Sequence, residues 1–458
     1  MTQQEQYNQM VKTPIPRLIT SLAIPTVISQ MVSMIYNLVD AFFVGKLGTA
    51  AAAAIGILLS IQAIFQAIGF MCGHGAGSHV SMALAQDRKD RANMFASTAF
   101  FASTTISVII AVILMIMRRD LMLFLGSTKT ILPYAMIYGF YVLLCAPALS
   151  MSCTLNNIMR YEGRASLAMI GLVSGGVLNM IGDPILMFGF HMGIAGAGLS
   201  TCLSQYVSLF LLLGMFLSHR TISRISIKDV HLSGVIGKII ANGAPSLMRQ
   251  ALNAISTAAL NMAANPYGDA AIAAMVIVGR IISFFYSVMI GVGQGFQPVN
   301  AYNYASKKYI RERKAFRFTF GLGEVLMAIF SLIGLLFSKE LVALFRNDPR
   351  VIEIGAFALK LQCIALLFSP LTTVANMLYQ SVGKSAQATF LASLRSGLFF
   401  IPIIMITPHF IGLLGVESAQ MFSDILSCLT CIPLVISFMR KIPHEDIHTE
   451  IDDHYQKS

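Results

Sequence analysis

The sequence predicts an all-α polytopic membrane protein, with twelve transmembrane helices in two parallel six-helix repeats, an N-lobe and a C-lobe. Three observations predict it. The chain is 56% hydrophobic and only 12% charged, whereas a soluble domain is nearer a quarter charged. Apolar runs of about twenty residues recur to the end, the length a helix needs to cross a bilayer. The second half also repeats the first. Slid by 220 positions, Pro25 meets Pro245, Gln30 meets Gln250, Gly48 meets Gly268, Gly75 meets Gly295, Asn156 meets Asn376 and Gly163 meets Gly383. A membrane β-barrel would need alternating strands, and stretches such as 104–117 and 326–337 do not alternate.

The first six spans fall at roughly 18–43, 51–80, 93–117, 131–159, 165–188 and 194–217. The last six fall at roughly 239–263, 271–300, 316–338, 352–380, 385–406 and 413–439. The N-lobe is thus 1–217, a basic cytoplasmic linker 218–238, the C-lobe 239–440 and a cytoplasmic tail 441–458. With the N-terminus inside, the cytoplasmic segments hold 21 lysines and arginines and the outer loops seven. That bias places both termini in the cytoplasm. Six is an even number, so both repeats enter from the same side, related by an axis along the membrane normal.

The net charge of +11 sits in short loops. It suits a cytoplasmic face and anionic lipid, and no nucleic acid is expected. All seven cysteines lie in or beside apolar segments and read as small buried residues rather than disulfides or metal ligands. The polar start, 1–10, has no basic n-region before an h-region, so the first span is expected to serve as the targeting signal.

No enzyme is expected. Gly383-Lys384-Ser385 carries the end of a phosphate loop, but Leu378 stands where that pattern needs its first glycine. Gly73-His74-Gly75-Ala76-Gly77 has no accompanying nucleophile elbow, and its repeat Gly293-Gln294-Gly295 points to helix packing.

Acids inside spans are costly and mark function. Asp40 falls opposite Leu260 and Asp183 opposite Ile403, so the acids belong to one half only. At about 1.5 Å per residue, Asp40 and Asp183 lie at similar depth in the outer leaflet. Asn179 is one turn below Asp183, Tyr36 one turn below Asp40, and Thr201 and Tyr138 reach the same level. Asn156 lies much deeper. Two carboxylates, an amide and a hydroxyl suit Na⁺ or a shared proton, because paired carboxylates in low dielectric do not both stay ionised. Arg249, Arg280 and Gln294 are candidates for cavity lining, Glu324 and Asp424 for helix contacts, and Pro25 for a helix bend. The 27 methionines and 30 phenylalanines suit a pliable wall.

Two six-span repeats, Pro25, Asp40, Asn179 through Asp183-Pro184, and Gly291-Val292-Gly293-Gln294-Gly295-Phe296-Gln297-Pro298 resemble the multidrug and toxic compound extrusion (MATE) family over roughly 15–440. The resemblance implies an antiporter that expels lipophilic, often cationic compounds against inward H⁺ or Na⁺ by alternating access of two lobes. It implies a cation site at Asp40, Asn179, Asp183 and Thr201, with Tyr36, Tyr138 and Asn156 around it. It also implies no cofactor beyond the coupling ion, small-molecule and lipid partners, a monomer, and a bacterial inner membrane. The seventh span lacks Asp and Glu, which resembles the DinF- and MepA-like branch rather than the NorM-like one. The alternative is an exporter of lipid-linked saccharides, for which Arg249 and Arg280 would speak.

Overall fold

Each predicted span is a helix in the computed structural model, which describes residues 2–448. The end of the expected tail, with Lys457, lies outside the described residues. The first repeat comprises α1 (Ile15–Gly45), α2 (Thr49–Ala85), α3 (Lys89–Ile116), α4 (Leu132–Tyr161), α5 (Ala165–Pro184) and α6 (Ile194–Leu217). The second comprises α7 (Ile236–Ala264), α8 (Asp269–Ala305), α9 (Tyr309–Leu336), α10 (Pro349–Leu366 with Ser369–Ser381), α11 and α12 (Leu413–Lys441). Helix α11 has three parts, Ser385–Ser393, a π-helical turn Leu394–Leu398, and Phe400–Ile411. A second π-helical turn, Ile185–Gly189, follows α5.

Ten of these helices are long and apolar enough to cross a membrane, and α10, bent by 49° at its break, makes an eleventh. Helix α7 has spanning length, 29 residues. Its Lys238, Asn242, Arg249, Gln250, Asn253 and Asn261 interrupt its apolar run. Helices α2 and α8 have 37 residues each, about 55 Å against a hydrocarbon core of about 30 Å, so both extend well beyond it. Three short α-helices went unpredicted, Gln3–Tyr7, Arg118–Phe124 and Ser338–Phe345, the last two beginning one repeat apart.

By packing, the chain forms two compact units. One holds Met1–Met10 and Ile28–Leu247, the other Val11–Val27 and the chain from Met248 on. The boundaries fall inside α1 and α7, just after Pro25 and Pro245, and not in the polar linker. The reason is legible in glycines. In the first unit, a Cβ on Gly75 of α2 would collide with the carbonyl of Ile239, and one on Gly243 with the carbonyl of Met71. The start of α7 therefore lies backbone to backbone on α2. In the second unit, a Cβ on Gly295 of α8 would lie 2.7 Å from the backbone of Ala23, and one on Gly291 would lie 2.6 Å from Val27. The start of α1 meets α8 in the same way, one repeat later. Small residues let helices approach this closely where lipid offers no hydrophobic drive.

The linker is docked rather than loose. Glu162, fully buried between α4 and α5, accepts hydrogen bonds from the amides of Ile222 (2.9 Å) and Ser223 (3.0 Å) and from the Ser223 hydroxyl. Burial pushes its carboxyl above the ordinary range, and the Ser223 and Ile222 donors oppose that shift. Asn93, Ser97 and Thr98 of α3 bind Arg224, Ser226 and His231 further along.

Candidate functional site

Four helices of the first unit converge near the C-terminal ends of α1 and α5. Helix α1 brings Asp40, with Tyr36 one turn earlier. Helix α5 brings Asn179 and Asp183, α6 brings Ser200 and Thr201, and α4 brings Tyr138. The sequence gives α5 a reason to change course here. Pro184 lacks an N–H, and the chain continues as the π-helical turn Ile185–Gly189, a feature that gathers at functional sites. Gly182 lets α6 close in, since a Cβ there would lie 2.5 Å from the Ser200 hydroxyl.

The polar groups touch. Asn179 Nδ2 lies 3.3 Å from Asp183 Oδ1, 3.2 Å from Thr201 Oγ1 and 3.4 Å from Ser200 Oγ. Ser200 in turn donates to the Asn179 carbonyl at 3.2 Å. Tyr138 Oη points at Asp40 Oδ2 from 3.5 Å. Asp40 is thus held from α4 and Asp183 from its own helix. All are nearly out of solvent, with Asp183 0% and Asp40 7% exposed.

Three oxygens in this cluster are buried and receive no hydrogen bond: Asp40 Oδ1, Asp183 Oδ2 and Asn179 Oδ1. An unsatisfied buried acceptor costs about 1–3 kcal/mol, and more when charged. Buried groups are normally paired, so three orphans in one place call for a missing positive partner. A cavity beside them is lined by Tyr36, Asp40, Tyr138 and Thr201, and by Asn37, Gln62 and Gln205, which the sequence did not single out.

Asp40, Asn179, Asp183, Thr201, Tyr36 and Tyr138 are therefore together. Asn156 stands apart. Its Nδ2 donates to the Ala168 carbonyl at 2.8 Å, and its repeat Asn376 donates to the Ala388 carbonyl at 2.6 Å. The pair is a symmetric pin between the fourth and fifth helix of each repeat, which places Asn156 outside the acid cluster. Pro25 lies inside an unbroken helix, where the chain passes from one unit to the other. In the second unit Gln294 is 3% exposed, Arg249 is half-buried and Arg280 is exposed. Asp424 does make a helix contact, to Arg395, a residue not singled out from the sequence. The signal was available: Arg395 and Asp424 are opposite charges in consecutive spans.

The repeat seen in the sequence recurs in the comparison with known families. The MatE family profile matches twice, over residues 25–185 and 245–406. The chain is similar to the multidrug export protein MepA of Staphylococcus saprophyticus, 25% identical over 94% of this chain and 96% of that protein. It is also similar to MepA of Staphylococcus haemolyticus, at 26% identity over 92% of this chain and 93% of that one. In fold it resembles a MATE protein crystallised with MaL6, with a TM-score of 0.89 and 23% identity over 94% and 99% of the two chains. An outward-facing multidrug resistance MATE transporter of the MOP superfamily gives a TM-score of 0.88 and 22% identity over 94% and 98%. With both halves matched by one profile, the chain belongs to the MatE family, the multidrug and toxic compound extrusion transporters.

Proposed function

We propose that this transporter is a secondary active multidrug efflux antiporter. It exports lipophilic, often cationic compounds and takes in H⁺ or Na⁺, by alternating access. The observation that carries the coupling is the set of three buried oxygens without donors, on Asp40, Asp183 and Asn179. A proton shared by the two carboxyls, or a Na⁺ held by them with the Asn179 and Thr201 oxygens, supplies the missing positive partner. The export of drugs is supported by the similarity to MepA multidrug export proteins. The reading includes a multi-pass bacterial inner-membrane protein with cytoplasmic termini, working as a monomer without a cofactor.

The alternative of a saccharide-lipid exporter leaned on Arg249 and Arg280. Arg280 is exposed, and no observation favours that reading.

The test is efflux of a fluorescent cationic dye from reconstituted vesicles under separately imposed pH and Na⁺ gradients. Efflux driven by one of these gradients and collapsed by its ionophore is expected. Dye movement indifferent to both gradients removes the antiport reading.

A further inference from the structure

The second unit contains a charged cluster of its own, built differently from the first. Arg395 lies in the π-helical turn of α11 and Asp424 in α12. Arg395 Nε donates to Asp424 Oδ1 at 2.8 Å and Nη2 donates to Oδ2 at 3.3 Å. Gln420, one turn earlier on α12, donates to Oδ1 at 2.8 Å. The guanidinium sits 4.0 Å over the ring of Tyr286 from α8, whose hydroxyl meets Thr373 of α10 at 2.9 Å. Ser423 fixes the turn by donating to the Arg395 carbonyl at 2.7 Å. Asp424 is 2% exposed and Arg395 18%. The titratable groups acting on Asp424 and its neighbourhood are Arg395, Tyr286, Cys428 on the next turn of α12, and Glu324 of α9, which acts on Cys428.

The repeat register says what this pair replaces. Arg395 corresponds to Gly175 and Asp424 to Ser204. Those two positions also touch in the first unit, where a Cβ on Gly175 would lie 3.1 Å from the Ser204 carbonyl. One turn along the same helices lie Asn179 and Ser200, which are bonded to each other in the acid cluster. The ion pair thus occupies the second unit's counterpart of a contact about 6 Å along the helix from the cation site. The two units differ in saturation. Asp40 and Asp183 each keep an oxygen without a donor, whereas both oxygens of Asp424 are bonded.

We propose that Arg395 is a tethered cation: it holds Asp424 permanently neutralised, so that the second unit exchanges no ion and coupling is confined to the first. This rests on the reading that Asp40 and Asp183 bind the coupling ion. A guanidinium is not deprotonated in proteins, so this site cannot unload during a cycle. Asp424 accepts from Arg395 and Gln420, while Tyr286, with Thr373 on its hydroxyl, lies under the guanidinium. Where the first unit has a pair of carboxyls, this site has one, facing an arginine where the register has glycine.

Removing the tether tests this. In Arg395→Ala, Asp424 is left buried without its countercharge, and such a carboxylate takes up a proton or a metal cation. The measurement is the melting temperature of the purified full chain across pH, with and without Na⁺, in a background carrying Asp40→Asn and Asp183→Asn. Arg395→Ala is expected to gain a pH or Na⁺ dependence, with uptake of one more cation per protein. That gain should vanish in Arg395→Ala/Asp424→Asn and be absent in Arg395→Lys, which keeps a tethered charge. A folded Arg395→Ala with no new dependence overturns the proposal.

If that variant does not fold, Arg395→Leu/Asp424→Leu decides. It should transport with the parent's ion stoichiometry, and a folded double variant with altered stoichiometry overturns the proposal. Failure of the first-unit reading has a different signature: gradient-driven transport surviving in Asp40→Asn/Asp183→Asn.

Discussion

Replacing Asp183 by asparagine is the sharpest perturbation of the proposed site. The side chain keeps its shape, and its oxygen still accepts from Asn179, now 3.3 Å away. It loses the ability to bind a proton or to balance Na⁺. Asp183 is 0% exposed, so the lost charge interaction is one made out of bulk solvent. One charge moved through 100 mV supplies about 2.3 kcal/mol, or about 50-fold in the concentration ratio a neutral exchange can sustain. The variant should lose that factor for each charge coupled through this site. The assay is steady-state dye accumulation in vesicles with the protein inserted outward, under an imposed gradient and a clamped potential. Counterflow of the dye without a gradient serves as control for a folded protein. Asp40→Asn should behave alike, because the two carboxyls act as one unit. Gradient-driven accumulation at the parent's level in both variants would refute the reasoning.

Other predictions follow from the packing. Gly75→Ala and Gly295→Ala should each destabilise by about 1–3 kcal/mol, read as a lower melting temperature, because the obstructing atoms are backbone and cannot swing aside. An unchanged melting temperature in both would mean the crossings are looser than described. Asn156→Ala and Asn376→Ala each remove a buried side-chain hydrogen bond to a helical carbonyl and should cost about 0.5–1.5 kcal/mol, with the ion dependence of transport intact in both. Loss of ion dependence in Asn156→Ala alone would return that residue to the site.

Glu162 gives a pH effect. Its carboxyl is raised above 4.5 when the linker is docked, so the docked state holds the proton more tightly. Docking is therefore favoured below the ordinary value and weakens as pH rises through the raised one. Proteolysis within 218–238 should accelerate across that window and level off above it. In Glu162→Gln the pH dependence should disappear, and its persistence would assign the effect elsewhere.

The sequence carried the helices and much of the site, for identifiable reasons. Apolar runs end where charges and glycines begin, so α6, expected at 194–217, is found as Ile194–Leu217. Depth along a helix follows from a constant rise, which is why Asp40, Asp183, Asn179 and Thr201 could be grouped and Asn156 stood out as too deep. Rotation about the helix axis is not fixed by depth. Ser200 and Gln62 were missed for that reason, as was the pairing of Arg395 with Asp424. Hydropathy says that a helix crosses but not which neighbours it meets. The division of α1 and α7 between the units was legible only once the facing backbones of Gly75 and Gly295 were seen.

That division bears on how the chain is made. Val11–Val27 are made early, yet they pack in the unit completed last, with the chain from Met248 on. The first unit is not closed either until Leu247 has emerged, well into the second repeat. Neither repeat can therefore be finished as a free-standing half during translation. The opening stretch of α1 must wait in the bilayer for α8, and a chain truncated between the repeats leaves both ends of the exchange unmet.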